Sequence, residues 1–259
     1  MKLLSLNVWG GTDFAPLMDY LQKQIASADI FCFQEVFDNN EHVSVTHGAR
    51  ANLWEELSNL FLDFHKFYYP AFKNFDVHKK VDFKLTSGLG MFIKRDINIS
   101  SEGDYFTYRQ RFAPLAKDIH DTPVNLQYAI FNKDGRQYLI CNFHGLWYPG
   151  DKLDTKDRIR QSEKILKFLD NQTGAKIICG DFNLMPQTKS VGLLDAKLRD
   201  LIKEFNINTT RSSLSPFYGK KGEQKFADYT FVSKDIKVVG FQVPHVAVSD
   251  HLPMVLEFN

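Results

Sequence analysis

The feature that most constrains this chain is a series of short apolar runs, each long enough for one β-strand and each bordered by polar residues. The clearest runs are KLLSLNV (2–8), ADIFCFQ (28–34), GLGMFIKR (88–95), VNLQYAIF (124–131), QYLICNFHG (137–145), AKIICGDF (175–182) and MVLEF (254–258). Apolar residues at helical spacing lie between several runs, as in 14–25 and 53–61. Buried strands with amphipathic helices between them predict an α/β fold with two packed β-sheets and helices outside.

Length and charge bound the organisation of the chain. Its 259 residues show no linker, repeat or low-complexity segment, so we expect one domain over 1–259. The 32 basic and 31 acidic residues give a net charge of only +1, so nucleic-acid binding would require a local patch. The most basic stretch, 79–111, lies close to several phenylalanines and is the candidate patch for single-stranded nucleic acid. The alternative is a solvated sheet face.

The three cysteines, Cys32, Cys141 and Cys179, all lie inside apolar runs. This placement predicts buried free thiols in a reducing compartment, and hence a cytoplasmic protein. The N-terminal residues contain too few apolar side chains for a signal peptide, and no run approaches the roughly 18 apolar residues of a membrane span. We expect a monomer with no transmembrane segment.

Polar side chains follow or precede most of the predicted strands. They are Asn7, Glu35, His144, Asp181, Asn183, Asp228 and the segment Ser249–His251. Any one of them is explained as a turn-forming residue. Seven such positions in one chain favour a shared site, because strand ends in packed sheets meet at one edge and their loops can form one pocket.

The GDFN motif and Glu35 carry the most specific chemistry. Asp181 and Asn183 are two residues apart, so an extended backbone would project both on one side, where they could hold and deprotonate a water. The alternative is an Asx turn after a strand. A carboxylate at Glu35, after a strongly apolar run, needs a charged partner or a cation, and with Asn7 nearby its oxygen ligands suit Mg²⁺. The alternative is a salt-bridged or helix-capping glutamate.

The motifs LNVWG, QE, NFHG, GDFN, DYTFVS and SDH occur in that order over residues 3–258. This ordered set resembles the endonuclease/exonuclease/phosphatase superfamily, which has the deoxyribonuclease I-like fold. The resemblance implies a four-layer α/β sandwich with two mixed β-sheets and helices outside. It also implies a phosphoesterase that cleaves a P–O bond with a divalent metal, Mg²⁺ or alternatively Mn²⁺.

The resemblance also implies a role for each matching residue. Glu35 would be the principal metal ligand, with Asn7 and Asp250 near the metal.

The remaining residues would act on water and phosphate. Asp181 would orient or deprotonate the attacking water, and Asn183 would hold the phosphate and the water. His251, held by Asp228, would donate to a phosphoryl oxygen, and His144 would be a second donor.

Differences between this sequence and particular subfamilies disfavour some substrate classes but do not identify the substrate. Abasic-site endonucleases have tyrosine where this chain has His144, and deoxyribonuclease I pairs its histidine with an acid that is missing from 83–95. These departures disfavour a duplex endonuclease, although that reading stays as an alternative. Sphingomyelinases, inositol-phosphate phosphatases, deadenylases and tyrosyl-DNA phosphodiesterases share the histidine, so the pattern does not choose among them.

Two further residues lie near the predicted site. Arg158 could bind phosphate bidentately, or could belong to a solvated helix face. Trp147 could contact a flat or apolar leaving group, such as a single-strand base or a phospholipid headgroup, or could simply pack its loop. A catalytically inactive binding module would lack some family residues, but all are present. A serine or cysteine hydrolase is unsupported, since no G-x-S-x-G motif occurs.

Overall fold

Two six-stranded β-sheets form the centre of the computed structural model, which describes residues 1–39, 44–76, 79–115 and 121–259. In spatial order the first sheet contains β13 (Val238–Gln242), β14 (Met254–Phe258), β1 (Lys2–Asn7), β2 (Ile30–Asp38), β6 (Thr86–Lys94) and β5 (Phe64–Lys73). The second contains β11 (Arg199–Asp200), β12 (Asp228–Val232), β10 (Ala175–Asp181), β9 (Arg136–His144), β8 (Val124–Lys133) and β7 (Ile99–Tyr108). A short hairpin joins β3 (Val45–Thr46) to β4 (Ala49–Arg50).

Both sheets are mixed, which confirms the predicted α/β fold with two mixed β-sheets. In the first sheet β1 and β2 are parallel, and in the second β9 and β10 are parallel, whereas the other pairs are antiparallel. The helices are α1 (Phe14–Ile25), α2 (Leu53–Leu60), α3 (Lys156–Asp170), α4 (Lys189–Asp195) and α5 (Leu201–Glu204), with a 3₁₀ turn at Trp9–Gly11. Among the described residues, no helix combines the length and the apolar composition that crossing a membrane requires.

Strand periodicity explains how the layers pack. Along β1, Leu4 and Leu6 belong to the cluster that packs with Leu17 of α1 and Leu57 of α2, whereas Leu3 belongs to the larger cluster that contains residues of both sheets. Because successive strand residues point to opposite faces, one strand supplies both layers. Helices α1 and α2 therefore cover the first sheet, and the core lies on both faces of each sheet.

The N-cap of α3 is Thr155, since its hydroxyl accepts a hydrogen bond from the Arg158 amide at 3.2 Å. Asp154 instead accepts from the amides of Lys189 and Ser190 at the start of α4. This aspartate therefore ties the loop before α3 to α4.

A buried polar network crosses the space between the sheets just below one edge. Gln34 of β2 donates to the Asn142 side-chain oxygen at 2.6 Å. Asn142 of β9 donates to the Gln127 side chain at 3.0 Å and to the Phe33 carbonyl at 3.0 Å. Because unpaired buried amides are costly, these bonds fix the register of one sheet against the other immediately beside Glu35 and His144.

Candidate active site

The strand ends meet at one edge of the sandwich, as the polar residues predicted. In the parallel pair of the first sheet Asn7 lies opposite Gln34, and in that of the second Asp181 lies opposite His144. Asp228 begins an antiparallel strand and also lies opposite Asp181. A pocket of about 340 Å³ opens at this edge. Its polar lining includes Glu35, His144, Lys152, Asp181, Asn183, Arg211, Asp250 and His251.

Asn7 brings two carboxylates together at the base of this edge. Its side-chain amide donates to Glu35 Oε1 at 2.9 Å and to Asp181 Oδ2 at 3.0 Å, although these residues are far apart in sequence. The Asn7 side-chain oxygen accepts from the Trp9 amide at 3.0 Å. In this orientation Asn7 positions the two carboxylates and directs its own oxygen elsewhere.

A β-bulge aims Glu35 into the pocket. The register between β2 and β6 shifts between Phe33 and Val36, and Glu35 has φ 58°. Bulges often redirect a side chain near a functional site. A glutamate with left-handed backbone dihedral angles costs free energy unless surrounding contacts stabilise that conformation. His144 Nε2 lies 3.8 Å from Glu35 Oε1 and 3.6 Å from Asp181 Oδ2. His144 thus has two acidic neighbours, neither of them on the segment 83–95.

The GDFN motif follows from local sterics. Gly180 has φ 136°, and a Cβ there would lie 2.0 Å from the Phe143 carbonyl oxygen on the neighbouring strand. Strand β10 ends at Asp181, and Asn183 has φ 53°. The prediction that an extended backbone contains both Asp181 and Asn183 is therefore wrong. Asp181 Oδ1 accepts from the Asn183 amide at 2.8 Å, which is the turn weighed as the alternative. Both side chains nevertheless line the pocket.

His251 and Asp228 form a buried pair. The His251 Nδ1 atom lies 2.9 and 2.8 Å from the two Asp228 carboxylate oxygens. Backbone amides of Ala227 and Asp228 donate to the Thr210 hydroxyl, which fixes the start of β12. The other ring nitrogen, Nε2, lies 3.5 Å from Asp181 Oδ2 and contacts the Arg211 guanidinium. The imidazole therefore lies between an acidic partner and the pocket.

Burial and neighbouring charges set the protonation of these groups. Burial and the Arg211 guanidinium lower the pKa of His251 to about 4. Burial and the Asp181 charge raise the pKa of Asp228 well above its ordinary value. Burial would also raise the pKa of Asp181, but neighbouring basic side chains, among them His251 and Lys152, lower it well below its usual range. One proton is therefore held between Nδ1 and Asp228, and Asp181 is ionised.

Asp250 lies on the other side of the imidazole from Asp228. Its Oδ2 atom accepts from the Arg211 guanidinium at 2.5 Å, and its Oδ1 atom lies 3.8 Å from His251 Nε2. The neighbouring Ser249 hydroxyl donates to the Asn7 carbonyl at 2.6 Å, which ties this loop to β1. Asp250 is thus in the same pocket, but it is bonded to arginine and is not among the groups clustered with Glu35.

Two buried cations in the pocket were missed by the sequence reasoning. Lys152 donates to Asn183 Oδ1 at 2.9 Å, and Arg211 contacts both Asp250 and His251. Lys152 lies in the loop between β9 and α3, and Arg211 lies in the loop between α5 and β12. A basic residue in a polar loop is usually solvated, so no local signal separates these two from their neighbours.

Arg158 is buried and does not line the pocket, so the expectation that it binds phosphate is not met. Its guanidinium donates to the carbonyls of Leu146, Trp147, Pro149 and Leu153 and approaches Asp151. With its donors engaged by one loop, Arg158 shapes the wall of the pocket from behind. Trp147, in that loop, lines the pocket and is 36% exposed.

The fold and this sheet-edge site define a deoxyribonuclease I-like protein. The chain belongs to the Endonuclease/Exonuclease/phosphatase family, whose model matches residues 4–251.

Solved structures share the fold at low sequence identity. A mannosyl-6-phosphatase from Bacteroides thetaiotaomicron is 18% identical, with a TM-score of 0.70 and coverage of 100% of this chain and 99% of that chain. A family member from Leptotrichia buccalis is 18% identical, with a TM-score of 0.73 and coverage of 100% and 99%. The human nocturnin catalytic domain, solved with a bound sulfate anion, is 18% identical, with a TM-score of 0.65 and coverage of 100% and 93%. No curated protein matches the sequence.

Proposed function

We propose that this chain is a Mg²⁺-dependent phosphoesterase that hydrolyses a P–O ester bond with water as the nucleophile and without a covalent enzyme intermediate. One observation carries the proposal. Asn7 binds the carboxylates of Glu35 and Asp181 together, and two imidazoles, those of His144 and His251, lie within 3.6 Å of Asp181 Oδ2. Acid, base and hydrogen-bond donor functions are therefore available around one point.

The donor set fits a hard divalent cation. Ligand atoms of Glu35, His144 and Asp181 all lie within 4.8 Å of one another. Two carboxylates this close repel each other unless a cation lies near them, and oxygen ligands suit Mg²⁺ or Mn²⁺. We assign Glu35 as the principal ligand and Asn7 as the group that positions it, with Asp250 near the metal. The bound cation would supply positive charge to the phosphoryl oxygens.

The protein's own groups handle the water and the protons. Asp181, kept ionised by its neighbours, orients or deprotonates the attacking water, and Asn183 holds the phosphate and the water. His251 presents an unprotonated Nε2 in the free protein, because its pKa is about 4. A phosphate anion against this nitrogen favours the protonated ring, so His251 then donates to a phosphoryl oxygen. Asp228 orients the ring, and His144 is the second donor.

The described charges favour a compact phosphate ester over a nucleic-acid chain. In the basic stretch 79–111, Arg111 forms an ion pair with Asp104 at 2.7 Å and Lys94 with Asp29 at 3.0 Å. Cations already paired with carboxylates bind a phosphate backbone poorly. Single-stranded nucleic acid and a phospholipid headgroup stay as alternative substrates beside a soluble ester. We retain the cytoplasm and a monomer as the proposed location and state, the first because all three cysteines are buried and free.

An activity panel tests the proposal. Protein stripped with EDTA would be assayed with and without Mg²⁺ on p-nitrophenyl phosphate, bis-p-nitrophenyl phosphate, single-stranded DNA, duplex DNA, RNA and sphingomyelin. We expect hydrolysis of at least one ester, loss of activity after stripping and recovery with Mg²⁺ or Mn²⁺. Activity that survives complete metal removal, or inactivity on every ester with either cation, would contradict the proposal and favour a binding module.

A further inference from the structure

We propose that Lys152 and Arg211 form a two-cation clamp on the substrate phosphate, and that the preferred substrate is a terminal phosphate monoester. This inference rests on the proposed phosphoesterase function and names the class of ester that the same pocket takes. Its basis is the placement of two buried basic side chains on the pocket wall beside Asp181.

Lys152 is held in an unusual and costly position. Its exposure is 8%, and the bond described for its ammonium group is to Asn183 Oδ1, a neutral acceptor, at 2.9 Å. The residue has φ 58°, and its carbonyl accepts from the Met185 amide at 2.9 Å, which fixes that backbone. Strained backbone at a pocket often marks a functional side chain, and a buried ammonium calls for an anion. A phosphate oxygen in the pocket would supply that anion.

Arg211 is also held firmly, and it contacts the His251 imidazole. Its exposure is 9%, and a β-bridge pairs its backbone with that of His251. The guanidinium contacts His251 Nε2, donates to Asp250 at 2.5 Å and reaches the Ser215 hydroxyl at 3.4 Å. A guanidinium presents five N–H donors in a planar fork, so Arg211 can donate to Asp250 and to a phosphate oxygen together.

One hydrogen bond joins the two loops that carry these cations at the pocket wall. The Gln224 side-chain amide donates to the Gly150 carbonyl at 2.5 Å, and both residues line the pocket. This bond joins the loop that contains Lys152 to the loop that contains Arg211. A diester has a second substituent that must leave the phosphate on another side, whereas a terminal phosphate has none. We infer that this bridge limits the space for such a substituent beside the two cations.

Charge and donor count point the same way. A terminal phosphate presents three non-bridging oxygens and nearly two negative charges at neutral pH, whereas a diester presents two oxygens and one charge. Lys152, Arg211, His144 and His251 together offer four donor groups to one phosphate. The third oxygen and the second charge of a terminal phosphate make fuller use of these four donor groups, two of them on basic side chains, than a diester does.

The test compares one monoester with one diester. Hydrolysis of p-nitrophenyl phosphate and bis-p-nitrophenyl phosphate would be measured with Mg²⁺ for wild type, Lys152→Met and Arg211→Met. We expect wild-type kcat/KM at least about tenfold higher on the monoester, and a loss of about 30-fold or more on that ester in each variant. The loss on the diester should be about threefold, so that the preference disappears.

Controls separate the clamp from a structural role. Lys167→Met and Arg160→Met remove matched exposed charges from α3 and should change neither ester. Lys152→Arg and Arg211→Lys keep the charge and should recover part of the monoester activity. Inorganic phosphate, as a competitive inhibitor, should show a Ki raised about tenfold in the methionine variants. Where a methionine variant does not fold, the lysine and arginine exchanges and their Ki values decide the question.

The outcomes distinguish this inference from the function on which it rests. Faster wild-type hydrolysis of the diester, or equal losses on both esters, would overturn the monoester clamp and leave the phosphoesterase standing. If neither ester is hydrolysed, the proposed function loses its support, and calorimetric binding of inorganic phosphate in Mg²⁺ buffer tests the clamp alone. Binding weakened in both methionine variants would support the clamp, and unchanged or absent binding would overturn it.

Discussion

At the residue scale, three side chains of the site lie on left-handed backbone. Glu35, Asn183 and Lys152 have φ values of 58°, 53° and 58°. Each such residue costs on the order of 1–3 kcal/mol unless its surroundings hold it. Here Glu35 lies in a β-bulge, and the Asn183 amide donates to the Asp181 carboxylate. The Met185 amide donates to the Lys152 carbonyl. These three backbone conformations orient a carboxylate, an amide and an ammonium group into one pocket.

The Asp228→Asn variant tests the imidazole pair. Removing the carboxylate removes the partner that favours a charged ring, so the pKa of His251 should fall further. If the rate-limiting step needs the protonated ring, the alkaline limb of the kcat profile, which reports the substrate complex, should move to lower pH. The measurement is a pH–rate profile, with Asp170→Asn on the exposed end of α3 as the control. A uniform rate loss with an unmoved limb would show that Asp228 has a purely steric role.

The Trp147→Ala variant tests the pocket mouth. Trp147 lines the pocket, whereas Leu153 of the same loop is 44% exposed and is not part of the lining. Removing the indole should raise KM for an ester with a flat or apolar leaving group by about fivefold to tenfold, since stacked contacts of this kind contribute about 1–3 kcal/mol. Hydrolysis of methyl phosphate should change little. Leu153→Ala is the matched control, and equal effects of both variants would assign Trp147 to loop packing.

At the element scale, the N-cap residue of α5 has a side-chain carboxyl group whose pKa lies above its ordinary value. Asp200 accepts from the Ile202 amide at 2.9 Å and the Lys203 amide at 3.4 Å, and burial raises its pKa to about 6. From its ordinary pKa of 3.8 up to about 6, the folded protein binds more protons at this group than the unfolded chain does. The free energy of unfolding should therefore fall as pH rises through this window.

Two substitutions at Asp200 separate its charge from its capping role. Asp200→Asn keeps an acceptor for both amides but does not ionise, so it should be more stable than wild type at pH 7, by at most about 3 kcal/mol. It should also lack this part of the pH dependence. Asp200→Ala loses the cap and should be about 1 kcal/mol less stable than the asparagine variant. Urea unfolding between pH 4 and 7 provides the comparison, and parallel curves for wild type and Asp200→Asn would rule the assignment out.

Strands were predictable from sequence to a greater extent than helices and loops were. The predicted strand at 124–131 lies within β8, and the predicted strand at 175–182 ends one residue after β10 does. Hydrophobic periodicity and run length identify such buried strands. Helix boundaries are less predictable, since α4 ends at Asp195 and Asp200 caps a separate helix, α5. Arg158 shows a further limit of prediction from sequence. Helical spacing predicts which residues share a helix face, but not which part of the protein that face contacts. The positions of Lys152 and Arg211 in the pocket depend on the conformations of their loops, which only the tertiary structure determines.

At the scale of the whole molecule, charge limits the substrates. A net charge of +1 and the ion pairs within the basic stretch give little attraction to a long polyanion. We therefore expect negligible nicking of duplex plasmid and a weak dependence of ester hydrolysis on salt between about 50 and 200 mM. Plasmid relaxation on agarose gels and initial rates in increasing NaCl check this. Efficient duplex cleavage that falls steeply with salt would restore the deoxyribonuclease reading.

The central claim is that Glu35 anchors a divalent cation on which phosphoester hydrolysis depends. The most direct measurement is the rate of ester hydrolysis as a function of Mg²⁺ concentration for wild type and Glu35→Gln, with the exposed Glu163→Gln as the matched control. Folding of each variant would be checked by circular dichroism. We predict saturable Mg²⁺ activation in wild type and in the control. In Glu35→Gln we predict a folded protein with a rate reduced at least about a hundredfold and activation displaced to much higher Mg²⁺. Near-normal turnover of folded Glu35→Gln with an unchanged Mg²⁺ midpoint would contradict the claim.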